Sequence, residues 1–137
     1  MSEFWDWAVA VYARPGVAEA CLELQDTYGQ NVPLLLWAAW RGGDVAAAVA
    51  MARQWEGEIA APLRGVRRRL KGRSDAEALR ERVKAVELEA ERTLMAALEA
   101  VAGRVPDEGA LATAAAAWGV AAPVETLDRL RAAITAA

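Results

Sequence analysis

The chain has no histidine among its 137 residues, and that absence removes more chemistry than any other feature removes. No serine or cysteine nucleophile can be paired with an imidazole, and no His-containing metal site can form. Di-iron carboxylate bundles, which need Glu-x-x-His pairs, are excluded on the same ground. Carboxylate pairs remain at Glu19/Glu23, Glu56/Glu58 and Glu87/Glu91. Two carboxylates on one helical face could hold Mg²⁺ or share a proton. Lys and Arg are interspersed along the same elements, however, and we read these pairs as solvated faces. Asp6 stands apart because Trp5 and Trp7 flank it where little else is polar. Burial would raise its pKa; the simpler expectation is an exposed aspartate favouring the N-terminal end of a helix.

The other groups able to bind something are cationic and aromatic. Arg64, Arg67, Arg68, Arg69, Lys71 and Arg73 form a basic run. At helical spacing Arg64, Arg67, Arg68 and Lys71 project from one side, where guanidinium groups can hold phosphate or carboxylate bidentately. Nucleic acid would be drawn there by counterion release, yet no interleaved aromatics, helix-turn-helix or zinc pattern accompanies the run. The first 63 residues carry eight acids against three bases, so the band is expected to complement an acidic face of the fold or of a dimer. Six tryptophans could line a pocket or anchor a partner. Trp37 and Trp40 are assigned to the core, whereas Trp5 or Trp7 is expected to reach the surface. Gly42-Gly43 is no phosphate loop, since a helix precedes it and no Lys-Ser/Thr follows.

These side chains must be carried by helices. The chain is 55% apolar, mostly Ala, Leu and Val, with one Phe, and it has no β-branched or aromatic run of strand length. An all-α single domain over 1–137 follows, a compact bundle of six or seven helices. Its parts are Trp-rich N-terminal helices (1–43), a long helical hairpin (44–102) and C-terminal helices (103–137). Helices are expected at Glu3–Ala13 after Ser2, at Gly16–Tyr28 before Gly29, and from Asn31 through Arg41. The third is apolar all round and belongs at the centre. A fourth starts after Asp44 and kinks near Pro62, where a hydrogen bond is lost. It forms an αα-hairpin with the longest element, Ser74–Ala102, a rod of roughly 40 Å. Ser74 and Glu77 have the spacing of a capping box, and Gly103 that of a helix stop. Leu79, Val83, Val86, Ala90, Leu94, Ala97 and Val101 line one stripe of the rod, to be covered by a partner helix. Two further helices, about Glu108–Trp118 and from Pro123, complete the chain.

The single cysteine, Cys21, excludes an internal disulfide and a Cys-only zinc site, and is read as a buried thiol. No signal-peptide layout and no membrane-spanning run is present, which places the protein in the cytoplasm. Net charge is −3, so no overall basic field gathers nucleic acid.

Phe4-Trp5-Asp6-Trp7, Val11-Tyr12-Ala13-Arg14-Pro15-Gly16-Val17, Cys21-Leu22-Glu23-Leu24-Gln25-Asp26 and Asn31-Val32-Pro33-Leu34-Leu35-Leu36 together resemble a family of small bacterial proteins, domain-of-unknown-function family 2390. Pro62-Leu63-Arg64, Arg67-Arg68 and the Lys84/Glu87/Leu88 part of the long helix are similar to its second half. The resemblance reaches about Ala100 and implies no activity, catalytic residue or cofactor. The expectation is a non-enzymatic helical protein that contacts a protein partner or a second copy of itself, without a membrane. Its candidate surface is Trp5, Asp6, Trp7, Arg64, Arg67, Arg68 and Lys71. The alternative is an anionic ligand or nucleic acid on the Arg64–Arg73 band.

Overall fold

Asn31 opens the central element by accepting a hydrogen bond from the Leu34 N–H at 3.0 Å, with Pro33 in the first turn. The resulting helix, Val32–Trp40, buries Val32, Leu34, Leu35, Leu36, Trp37 and Ala38, and the largest of these is Trp37. Each fully buried side chain of this size contributes about 1.5–3 kcal/mol over its exposed state. The computed structural model describes residues 2–119 and 122–136. In chain order it gives α1 Glu3–Tyr12, α2 Val17–Tyr28, α3 Val32–Trp40, α4 Val45–Trp55, α5 Ala61–Leu70, α6 Glu77–Glu99, α7 Ala110–Trp118 and α8 Val124–Thr135. There is no strand among the described residues. Helix α3 packs against α7, α6, α4 and α1, while α8 closes over α2. All of the core helices share one apolar cluster, so the fold is a single all-α domain.

Several elements start and stop where their end residues require. Ser2 caps α1 by accepting from the Trp5 N–H at 3.0 Å. Asp44 does the same for α4 through the Ala47 N–H at 3.1 Å. Gly29, at φ 62, ends α2 in the left-handed region. The α3–α4 turn is pressed flat against the end of α6. Gly103 N–H donates to the Gly42 carbonyl at 2.8 Å and Asp44 N–H to the Val101 carbonyl at 3.2 Å. A Cβ on Gly43, at φ 139, would lie 2.5 Å from backbone atoms of Val101 and Gly103. Only glycine fits there.

Between α4 and α5 the helix carries a π turn just before Pro62. Residues Glu56–Ala60 form a π turn in which the Ala61 N–H reaches back to the Glu56 carbonyl. Proline has no N–H to donate and its ring clashes with the preceding turn, so the backbone widens just upstream. From there α4 stays in the body and α5 pairs with α6 as the expected hairpin.

Three expectations need correction. Residues Ser74–Ala76 wind as a 3₁₀ turn with no side-chain cap, so α6 begins at Glu77 and stops at Glu99, well short of Gly103. The tighter winding closes the hairpin neck, with Ala76 buried and its N–H bonded to the Arg73 carbonyl at 3.1 Å. The apolar stripe of α6 is not a buried seam. Only Leu94, Met95 and Leu98 are in the core, while Leu79, Val86 and Ala97 are exposed. The buried positions of this rod all lie in its C-terminal half, and α5 packs along it. Finally, Trp40 is half-buried rather than core. It stacks on Phe4 at 5.0 Å and carries the Arg41 guanidinium at 4.3 Å.

Candidate functional site

An open cleft of about 1000 Å³ lies between the hairpin and the body. One wall is α1, whose Trp5, Ala8, Val9 and Tyr12 fall on one face at steps of three and four. The α2–α3 turn from Gly29 to Pro33 forms the end. The opposite wall is the π turn with Leu63, Arg64, Arg67 and Arg68, and α6 supplies Glu87, Leu88, Glu91, Leu94 and Met95. Trp118 fixes the rim. Its indole N–H donates to the Gly29 carbonyl at 2.8 Å, and Arg53 lies 4.9 Å over its ring while donating to its carbonyl. Gln30, buried beside it, donates to the Ala115 carbonyl at 3.2 Å. The Trp55 indole N–H is buried and finds no acceptor among the described residues.

The charges in this cleft are mostly consumed within the fold. Arg64 pairs with Glu56 at 3.0 Å and Arg67 with Glu87 at 2.7 Å. The second pair ties α5 to α6 across the hairpin. Glu91 differs from both acids: it makes no hydrogen bond or ion pair among the described residues. It is still reached by water, yet protein surrounds it in the concave cleft, and this desolvation raises its pKa above the ordinary carboxylate value. Tyr12 is also raised, first by partial burial and then by the acidic groups of Cys21, Glu91 and Glu19. Cys21 itself is buried, and burial pushes its thiol up to about 12. It is an inert core residue.

Trp5, Arg64, Arg67 and Arg68 therefore meet in one cleft, although sequence reasoning placed them on two separate surfaces. Arg92 lies 4.7 Å over the Trp5 ring. Arg68 is exposed and unpaired among the described residues. Asp6 is exposed on α1 and Trp7 is half-buried 6.4 Å from Phe4, and neither lines the cleft. Lys71 lies beyond the last turn of α5, exposed and outside it. Tyr12, Leu88 and Glu91 were not singled out as a surface from the sequence. The apolar and aromatic residues Val9, Tyr12 and Leu88, which the fold leaves exposed, were the available signal. Among the described residues no group of three or more His, Cys, Asp or Glu is placed to hold a metal ion.

Residues 3–98, well over half of the chain, match the family described as Protein of unknown function (DUF2390). The chain belongs to this family. The matched span holds every cleft residue from Trp5 to Met95 and leaves out only Trp118. Helices α7 and α8 lie beyond it. No curated protein and no solved structure matches the chain. No described helix is long and apolar enough to cross a membrane.

Proposed function

We propose that this DUF2390 protein is a non-enzymatic interaction protein of the bacterial cytoplasm, which docks a segment of another protein in the cleft between α1 and the α5–α6 hairpin. The observation that carries this reading is the convergence of Trp5, Tyr12, Val9 and Leu88 on one open cleft within the matched family span. Exposed aliphatic and aromatic groups gathered in a concavity, with charged groups at its edge, have the anatomy of a protein-docking surface. Pairing of Arg64 and Arg67 inside the fold weighs against the band as a phosphate site, since each of those guanidinium groups is already engaged by a carboxylate of the chain. The competing reading keeps one supporting fact. Residues 64–84 carry nine basic side chains against three acidic ones, enough to attract an anionic partner.

The test is a binding assay on the full chain with two variants that leave its ion pairs alone. Trp5→Ala removes the aromatic wall, and Arg68→Glu reverses the unpaired cation on the rim. A protein partner, or a second copy, is expected to be held by the wild type and lost on Trp5→Ala by about thirtyfold or more, the scale of an interface hot spot. Circular dichroism should be unchanged in both variants. Binding to RNA or DNA that falls steeply with salt and is insensitive to Trp5→Ala would replace this reading with the anionic one. Arg67 is unsuitable for such a test, because reversing it sets two carboxylates against each other inside the hairpin.

A further inference from the structure

Glu91 lines the cleft as a carboxylate open to solvent and without a counter-ion among the described residues, although guanidinium groups stand nearby. Arg67 lines the same cleft but is taken by Glu87, and Arg64 is taken by Glu56. Arg92, the next residue on α6, lies over Trp5 instead. With those pairs cancelled, the acids left in the lining are Glu91 and Asp26, and the one base left is Arg68. The same lining holds the exposed ring of Tyr12, which feels the Glu91 charge, together with Trp5 and the exposed aliphatic Leu88. Trp5 already carries Arg92, so the open aromatic face is that of Tyr12; beside an unpaired carboxylate such a face attracts cations by both the ring quadrupole and direct charge. The chain itself uses this attraction, with a guanidinium within 5 Å of the ring centre at Trp5, Trp40 and Trp118 (4.7, 4.3 and 4.9 Å).

We infer that the corner of the cleft formed by Glu91, Tyr12 and Trp5 receives a lysine or arginine side chain from a partner protein. This rests on the docking reading above and adds what the docked segment must carry. The cation completes the pair that Glu91 lacks, its alkyl stem lies along Tyr12 and Leu88, and the flanking backbone runs through the remainder of a cleft far larger than one side chain. Arg68 on the rim then favours an acidic neighbour in the same segment, giving a mixed-charge motif rather than a polybasic one.

The experiment titrates the full chain with n-butylguanidinium, n-butylammonium, butyrate and phosphate, following the Trp5 indole N–H and the Glu91 carboxyl carbon by NMR. A blocked pentapeptide with a central arginine among alanines, and its glutamate counterpart, are run alongside. The two organic cations and the arginine peptide should shift both resonances saturably. Glu91→Gln should weaken them about tenfold or more, Tyr12→Leu should weaken them, and Tyr12→Phe should not. Preferential binding of butyrate or phosphate, equal binding to Glu91→Gln, or silence of every probe would overturn the inference. So would small cations binding where the peptide does not, which marks a free-amine site. A self-associated chain that Glu91→Gln dissociates would overturn it too, by putting a second copy in the partner's place. A Trp5-dependent partner that Glu91→Gln still binds at full strength would sink this inference and leave the docking reading standing.

Discussion

Glu91 and Glu99 lie two turns apart on α6 and are treated oppositely by the fold. Glu99 accepts from the Ser2 hydroxyl at 2.6 Å and the Phe4 N–H at 2.9 Å, so it caps α1 from another helix. The Ser2 hydrogen bond is the main reason its pKa is lowered. A depressed pKa means stability that is complete above the unfolded carboxylate value and disappears as pH falls through the folded one. Glu99→Gln should therefore cost about 1 kcal/mol near pH 7. Urea melts of the two proteins should converge in acid, below about pH 4. The raised Glu91 has the reverse sign. Its folded form holds the proton more tightly, so the penalty is absent below the unfolded value and full above the folded one. Tyr12 from α1, Arg64, Arg67 and Arg68 from α5 and Glu87 on α6 share its surroundings, but none bonds to it. Glu91→Gln should raise the melting temperature near pH 7 and leave it unchanged near pH 3. A melting temperature lowered at neutral pH would show that the carboxylate is held by a partner within the fold.

At the scale of elements, the α3–α4 turn and α5 show how differently two glycines behave. Gly43 sits at φ 139 with backbone 2.5 Å from where a Cβ would be, so both strain and overlap oppose any side chain. Gly43→Ala should cost more than about 2 kcal/mol in chemical denaturation, by separating the turn from the end of α6. Gly65 is interior to α5 and faces open space. Gly65→Ala should add about 0.5–1 kcal/mol through helix propensity alone. Failure of Gly43→Ala to destabilise would mean that α6 can slide against the turn, which would loosen the whole hairpin. The hairpin is where element-level reading of the sequence partly failed. The pairing of α5 with α6 was legible from Gly72 and the helical patterns on either side. Which face of α6 is covered was not, because propensity alone keeps a Glu-, Arg- and Ala-rich rod helical whether or not another helix lies on it.

For the whole molecule, charge and coverage are both unevenly distributed. Residues 64–84 hold nine basic and three acidic side chains, and the remainder seven basic and sixteen acidic. The hairpin is thus a cationic arm on an anionic body, and the cleft lies at their junction. Apart from Trp118 on the cleft rim, the C-terminal helices supply the lid of the core. Ala110, Leu111, Ala114 and Ala115 of α7 close on α3 and α4, and Leu127, Leu130 and Ile134 of α8 bury inward with α8 on α2. A chain ended after Gly103 would keep nearly all of the cleft residues and lose this cover. It should retain helical circular dichroism but bind a hydrophobic dye and melt without cooperativity. A cooperative melt from the shortened chain would show that α1–α6 form a self-sufficient unit.

Local chemistry settled most of the helices. The caps at Ser2, Asn31 and Asp44, the stop at Gly29 and the unbroken apolar run of α3 act within a few residues of themselves, so their outcome is written in the residues concerned. The same holds for what is excluded, since a chain without histidine has no imidazole wherever it folds. The cleft belongs to the other class. Trp5 and Glu91 are more than eighty positions apart, and they share the cleft because α1 packs directly on α6. Likewise Glu87 and Glu91 look alike on a helical wheel, yet one is neutralised by Arg67 and the other is left alone. Distances between helices decide that difference, and no periodicity in a single segment records them.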